Sequence, residues 1–118
     1  MHKYVPRRQS KRWRNGDCPD GVLAIYDAGP ETFDRYTVFY AEPVTGTTYA
    51  NMWLSYRGMS KHPTSPQGFG CAGEMEAHKV AAYRYRVRHQ ACRWTDLPDE
   101  VRELVKRDLA DREEAKQT

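Results

Sequence analysis

No apolar run in this chain approaches the roughly 20 residues that a membrane span requires, and its basic first residues lack the apolar core of a secretory signal. An intracellular protein is therefore expected. Cysteine is scarce: Cys18, Cys71 and Cys92 are odd in number and widely spaced. That is no disulfide framework, and it fits reduced thiols in a reducing compartment. No glycine-rich phosphate loop, nucleophile elbow or paired-carboxylate motif occurs. Helix-turn-helix, zinc-finger and RNA-recognition signatures are missing as well. These absences remove the common catalytic and nucleic-acid-binding frames, so no catalysis and no cofactor are expected. There is no internal repeat, and 118 residues fit one domain.

Acid is absent from residues 1–16, which carry Lys3, Arg7, Arg8, Lys11, Arg12 and Arg14. Residues 17–94 balance eight bases with eight acids, and residues 95–118 carry five bases against eight acids. The net charge of +3 thus conceals a basic arm, a neutral body and an acidic tail. Aromatics are plentiful: three Trp, eight Tyr and three Phe supply large side chains for a core, which favours folding over disorder.

The arm (residues 1–20) has Pro6, Gly16 and Pro19 and no apolar period, so it is expected to be irregular. "GVLAIYDAG" is a short apolar run that ends in a turn. In "RYTVFYAEP", Tyr36, Val38 and Tyr40 alternate with Thr37 and Phe39, the pattern of a strand that Pro43 ends. A hairpin turn around Gly46 leads to a further strand, "TYANMWLSYRGM". "YRGMSKHPTSPQGFG" then connects the sheet to a helix, with Phe69 as a core anchor and Ser60 or Thr64 bonding its own backbone. "EMEAHKVAA" is rich in helix formers, and Val80, Tyr83, Val87 and Ala91 fall at helical spacing. "YRYRVR" alternates strictly, so a strand with an all-arginine face competes there. In "WTDLPDEVRELVKRDLADREEAK", Thr95 or Asp96 can cap a helix and Pro98 suits its first turn. Val101, Leu104, Val105 and Leu109 form its apolar stripe, Trp94 can pack back on it, and Glu103 can pair with Arg107. The expected fold is α+β: a small antiparallel sheet of two to four strands within residues 22–59, packed against two helices at about 73–91 and 98–114. Residues 21–118 form that single domain.

Three stretches, Arg35–Val38, then Met59, Ser60, Pro63 and Pro66–Phe69, then Trp94 with Asp96–Pro98, occur in a characteristic order. In them the chain resembles small proteins carried by bacteriophages and other mobile elements of bacteria, which read "RYTV … MSxxPxxPQGF … WxDLP". The resemblance covers roughly the last two thirds of the chain. It implies a setting, the cytoplasm of a bacterial host, and an accessory role; it implies no reaction. The arm and "AAYRYRVRHQ" lie outside it.

Four chemistries compete with ordinary structural roles for these residues. Nucleic-acid binding draws on the arm, whose bases are interleaved with Tyr4 and Trp13, and on Arg84, Arg86, Arg88 and Arg93 beside Tyr83, Tyr85 and Trp94. Arginine neutralises phosphate, and aromatic rings stack on unpaired bases; solvated tails and charged helix faces look the same. Cys71, His78, His89 and Cys92 hold zinc-ligand chemistry. One continuous helix would, however, keep His78 and His89 about 16 Å apart. Cys71 before a helix start would be an activated thiol, with His62 or His78 as base. Protein binding fits a small domain rich in Tyr, Trp and Arg, although Tyr26, Tyr36, Tyr40, Trp53 and Tyr56 are expected in the core or on the sheet. The leading expectation is a non-catalytic accessory protein that binds a host protein or ribonucleoprotein complex, an inhibitor of a bacterial defence system of the anti-CRISPR kind. Its contact residues would be Arg7, Arg8, Lys11, Arg12, Trp13, Arg14, Arg84, Arg86, Arg88 and Arg93. The alternative is direct DNA or RNA binding through the same groups.

Overall fold

The structure is a computed structural model that describes residues 18–46, 48, 50–68 and 70–117. Four strands, β1 (Val22–Asp27), β2 (Tyr36–Thr45), β3 (Trp53–Met59) and β4 (Gly70–Glu76), form one antiparallel sheet in sequential order. Two helices follow, α1 (Ala77–Arg86) and α2 (Asp99–Gln117), separated by 3-10 turns at Arg88–Gln90 and Trp94–Asp96. The α+β expectation holds.

The helices cover opposite faces of the sheet. On one face Val22, Ile25, Tyr36, Val38, Tyr40 and Met59 pack with Leu97, Val101 and Val105, and Trp94, Leu104 and Leu109 close the rim. On the other, Leu23, Ala24, Tyr26, Phe39, Met52 and Leu54 pack with Ala77 and Val80 of α1, flanked by Tyr56, Tyr83 and Val87. A strand covered on both sides must be apolar at every position. This is why "VLAIY" is unbroken and why Val38, Phe39 and Tyr40 are buried in succession. A register shift between Val22 and Ala24 turns two consecutive residues, Leu23 and Ala24, toward α1.

Several elements depart from the expected boundaries. Residues 70–76 form a strand, so α1 starts at Ala77 and the sheet extends past Met59. β2 runs through Pro43 to Thr45, because its pairing with β3 becomes irregular beyond Phe39 and a proline is tolerated there. "YRYR" is helical, and the strand alternative for it fails. The helix stops at Val87, well short of Ala91. Tyr26, Tyr36 and Tyr40 are buried in the core, and Trp53, 39% exposed, and Tyr56 lie on the sheet in β3, as expected. Glu103 pairs with Lys106 rather than with Arg107.

The stretch from Ser60 to Gly68 joins two antiparallel neighbours and is no crossover to a helix. Turns close at Ser65 N–H to the His62 carbonyl and Gly68 N–H to the Ser65 carbonyl. The Ser60 and Ser65 hydroxyls accept from the backbone two residues on. A side chain at Gly68 would strike the His62 carbonyl, so the loop requires glycine there. The Thr64 hydroxyl and His62 Nδ1 both reach Glu100, tethering the loop to the first turn of α2. Phe69 lies outside the described residues.

After α1 the chain passes round the β1 edge to reach α2. Ala91 bridges Tyr26, and Cys92 N–H donates to the Ile25 carbonyl at 3.0 Å. That strap occupies β1's free side, which would otherwise invite a foreign strand.

Candidate partner-binding face

α1 and the turns after it gather basic charge. Residues 77–93 carry Lys79, Arg84, Arg86, Arg88 and Arg93 and no acid. Arg84 and Arg86 fall in the last turn of α1, where the helix dipole favours cations. Tyrosines alternate with the arginines, and the helical twist lays the Arg86 and Arg88 guanidinium groups back on rings three residues earlier. Arg86 sits 5.2 Å from the Tyr83 ring centroid and Arg88 4.2 Å from that of Tyr85. The Arg88 guanidinium also donates to the Tyr85 carbonyl.

The four arginines differ in role. Arg84 is half-buried, and its Nε donates to the Tyr26 hydroxyl at 3.1 Å, fastening α1 to β1. Arg86 and Arg88 are exposed. Arg93 is exposed beyond the strap, with Asp96 3.7 Å away. The arginines therefore fan around the end of α1 instead of lining one flat face. Tyr85 is 70% exposed, a large aromatic presented to solvent in the middle of this basic strip. Such an Arg–Tyr stack is a pre-ordered surface for phosphate, carboxylate or an unpaired base. Arg7, Arg8, Lys11, Arg12, Trp13 and Arg14 lie outside the described residues.

Under α2 the polar chemistry is turned inward. Arg57 of β3 makes a two-pronged pair with Asp108, at 2.6 and 2.9 Å, and the Tyr40 hydroxyl donates to the same carboxylate at 2.5 Å. Arg112 lies over the Tyr40 ring at 4.3 Å and bonds the Ser55 hydroxyl. Burial, followed by the Asp108 hydrogen bond, holds the Tyr40 phenol protonated well above its ordinary range. The Asp108 hydrogen bond raises Arg57 likewise. A cleft of about 270 Å³ opens beside this network between α2 and β3–β4. Sequence reading missed the network because its members come from three elements far apart in the chain.

At one end of the sheet a wider groove, about 420 Å³, separates the β1–β2 and β3–β4 connections, with Phe33, Lys61 and His62 on its walls. Asp27 organises the nearer wall: it accepts from the Arg35 side chain and from Gly29 N–H, each at 2.8 Å. The Arg35 hydrogen bond holds the Asp27 carboxyl below its ordinary value.

The thiol and zinc candidates are dispersed. Cys71 lies in β4 opposite Gly58, so no helix dipole acts on it as expected from sequence; its closest polar partner is Asp34, at 3.6 Å. Burial pushes the Cys92 thiol up to about 12. Among the described residues no cluster of three or more His, Cys, Asp or Glu could hold a metal ion, and no helix is long and apolar enough to cross a membrane. No protein-family model, curated protein or solved structure matches the chain.

Proposed function

We propose that this chain is a non-catalytic binding protein whose basic α1 end docks on an acidic or phosphate-bearing surface of a host macromolecular complex. Its setting, argued from the "RYTV", "PQGF" and "DLP" resemblance, is a mobile element inside a bacterium, and its role there is inhibition of a defence complex of the anti-CRISPR kind. The observation that carries the binding is the acid-free run 77–93, which holds five Lys and Arg and displays Arg86, Arg88 and Tyr85 to solvent. Arginine and tyrosine are the residue types that most often dominate interfaces.

The test pairs Arg86→Glu with Arg88→Glu, leaving Arg84 in place because it secures the fold. In a bacterium whose defence complex restricts a phage, expression of the wild-type chain restores plaque formation and the double variant does not. Equal plaque numbers for the two proteins would remove this face from the site. A second reading, direct binding of DNA or RNA, draws on the exposed Tyr85–Arg88 stack. It predicts that plain duplex or single strand binds at low salt and that affinity falls steeply as salt rises, by about 0.9 in log–log slope per phosphate contacted. Absence of binding at low salt eliminates that reading.

A further inference from the structure

The two edges of the sheet are treated differently. β1 is sealed by the Ala91–Cys92 strap, whereas β4 is the last strand and its outward backbone groups have no partner among the described residues. All seven residues of β4 pair in regular register with β3, and Gly70, Cys71, Ala72 and Glu74 are exposed. Of the usual protections of an edge only charge is present, on Glu74 and Glu76: "GCAGEME" contains no proline, no lysine and no bulge. Nor does α1 screen it. The Ala77 N–H bonds the Met52 carbonyl at 2.9 Å, and the helix then runs back over the sheet until Arg84 meets Tyr26 of β1.

The side-chain pattern of this edge admits a second copy of itself in one register. We infer that β4 pairs antiparallel with β4 of a second copy of this chain, about a two-fold axis at Gly73, joining two four-stranded sheets into one of eight. Gly73 is the midpoint of the strand, so this register alone uses all seven residues. It sets Glu74 opposite Ala72, Glu76 opposite Gly70 and Met75 opposite Cys71, so no two acids stand directly opposite, and Glu74 and its copy lie only diagonally across the pair. A centre at Glu74 would place two carboxylates face to face; a centre at Ala72 would push Glu76 past the end of the partner's strand. The axis residue also carries no side chain of its own: a Cβ on Gly73 would lie 2.8 Å from the Tyr56 hydroxyl and would push that ring aside. The Tyr56 ring covers that glycine from the neighbouring strand and stiffens the edge at its centre. The inference is independent of the α1 arginines and stands or falls without them.

Sedimentation equilibrium of the full chain tests it, with charge placed at Ala72. The wild type is a dimer. Ala72→Glu sets two symmetric Glu–Glu pairs against one another and weakens the dimer by about tenfold, from like charges directly opposite in a sheet. Ala72→Lys sets Lys against Glu74 twice and holds the dimer at least as tightly as the wild type. Salt narrows the gap between the two variants. A wild type still monomeric at millimolar concentration overturns the inference. So does an equal shift of both variants in the same direction, which would indicate a different face. Hydrogen exchange of the unmutated protein gives an independent reading: β4 amides gain protection as concentration rises, and concentration-independent exchange counts against pairing.

Discussion

The two faces of the sheet use different chemistry for the same task. Beneath α2 the branched aliphatics Val22, Ile25, Val38, Val101 and Val105 pack with Tyr36 and Tyr40, and the face is fastened by the Tyr40–Asp108–Arg57 network. Beneath α1 Leu23, Met52, Leu54 and Val80 surround rings in mutual contact: Phe39 lies 5.4 Å from Tyr83, 5.8 Å from Tyr56 and 6.2 Å from Tyr26 between ring centroids. α2 spends its central charges on the sheet. α1 needs only Arg84 for that purpose, and Arg86, with Arg88 just past the helix end, faces solvent. A ten-residue helix is short for independent stability. The aromatic cluster lets it stay docked while its outer surface is devoted to charge. A covering helix can thus be structural on one side of a sheet and a display surface on the other.

The largest loss is expected at the centre of the α1 face. Phe39→Ala empties the aromatic cluster and is expected to cost about 4 kcal/mol, as for other buried phenylalanines, read as a large fall in denaturant midpoint. Asp108→Ala strands the Arg57 guanidinium and the Tyr40 hydroxyl beneath α2. A loss of about 3 kcal/mol is expected when a partly buried charged hydrogen-bond partner is removed. Asp108→Asn, which still accepts from Tyr40, should lose less; equal losses would argue against the network as the fastening of that face.

A smaller effect concerns pH. The folded Asp27 carboxyl is held below its unfolded value, so it contributes stability that is fully present above the unfolded pKa, near 3.8. That contribution disappears as pH falls through the folded value. Thermal unfolding between neutral pH and pH 3 should therefore show an acid-side decline that Asp27→Asn flattens. Smallest of all, Arg86→Glu with Arg88→Glu should change stability by within about 0.5 kcal/mol, as exposed substitutions do, while abolishing partner binding. A large stability loss there would mean that the α1 surface is structural after all.

Much of this architecture was legible in the sequence because local pattern and tertiary role agree. The alternation in "RYTVFY" gave β2, and the spacing of Val101, Leu104, Val105 and Leu109 gave α2 with its buried side correct. β4 was illegible for a physical reason. "GCAGEME" has neither β-branched nor aromatic residues, and its strand is made by pairing with β3 and by the Tyr56 ring, both supplied from elsewhere in the chain. The helix-forming Glu, Met and Ala that follow drew the helix start several residues too early. The sandwich was hidden as well: an unbroken apolar run marks a strand covered twice, but does not say by what. Of the candidate contacts, sequence located Arg84, Arg86, Arg88 and Arg93 but could not divide them. Only the fold separates Arg84, committed to Tyr26, from the two arginines stacked outward.

The strap at Ala91 and Cys92 bears on how the chain is made. During synthesis β2, β3 and β4 meet their neighbours soon after emerging, since each pairs with the strand before it. β1 pairs on its inner side early but keeps its outer side bare until residue 92 has left the ribosome. For that interval the nascent chain carries two open edges, the state most prone to wrong pairing. Release of the segment after α1 closes one of them, so the timing of that segment sets the length of the vulnerable period.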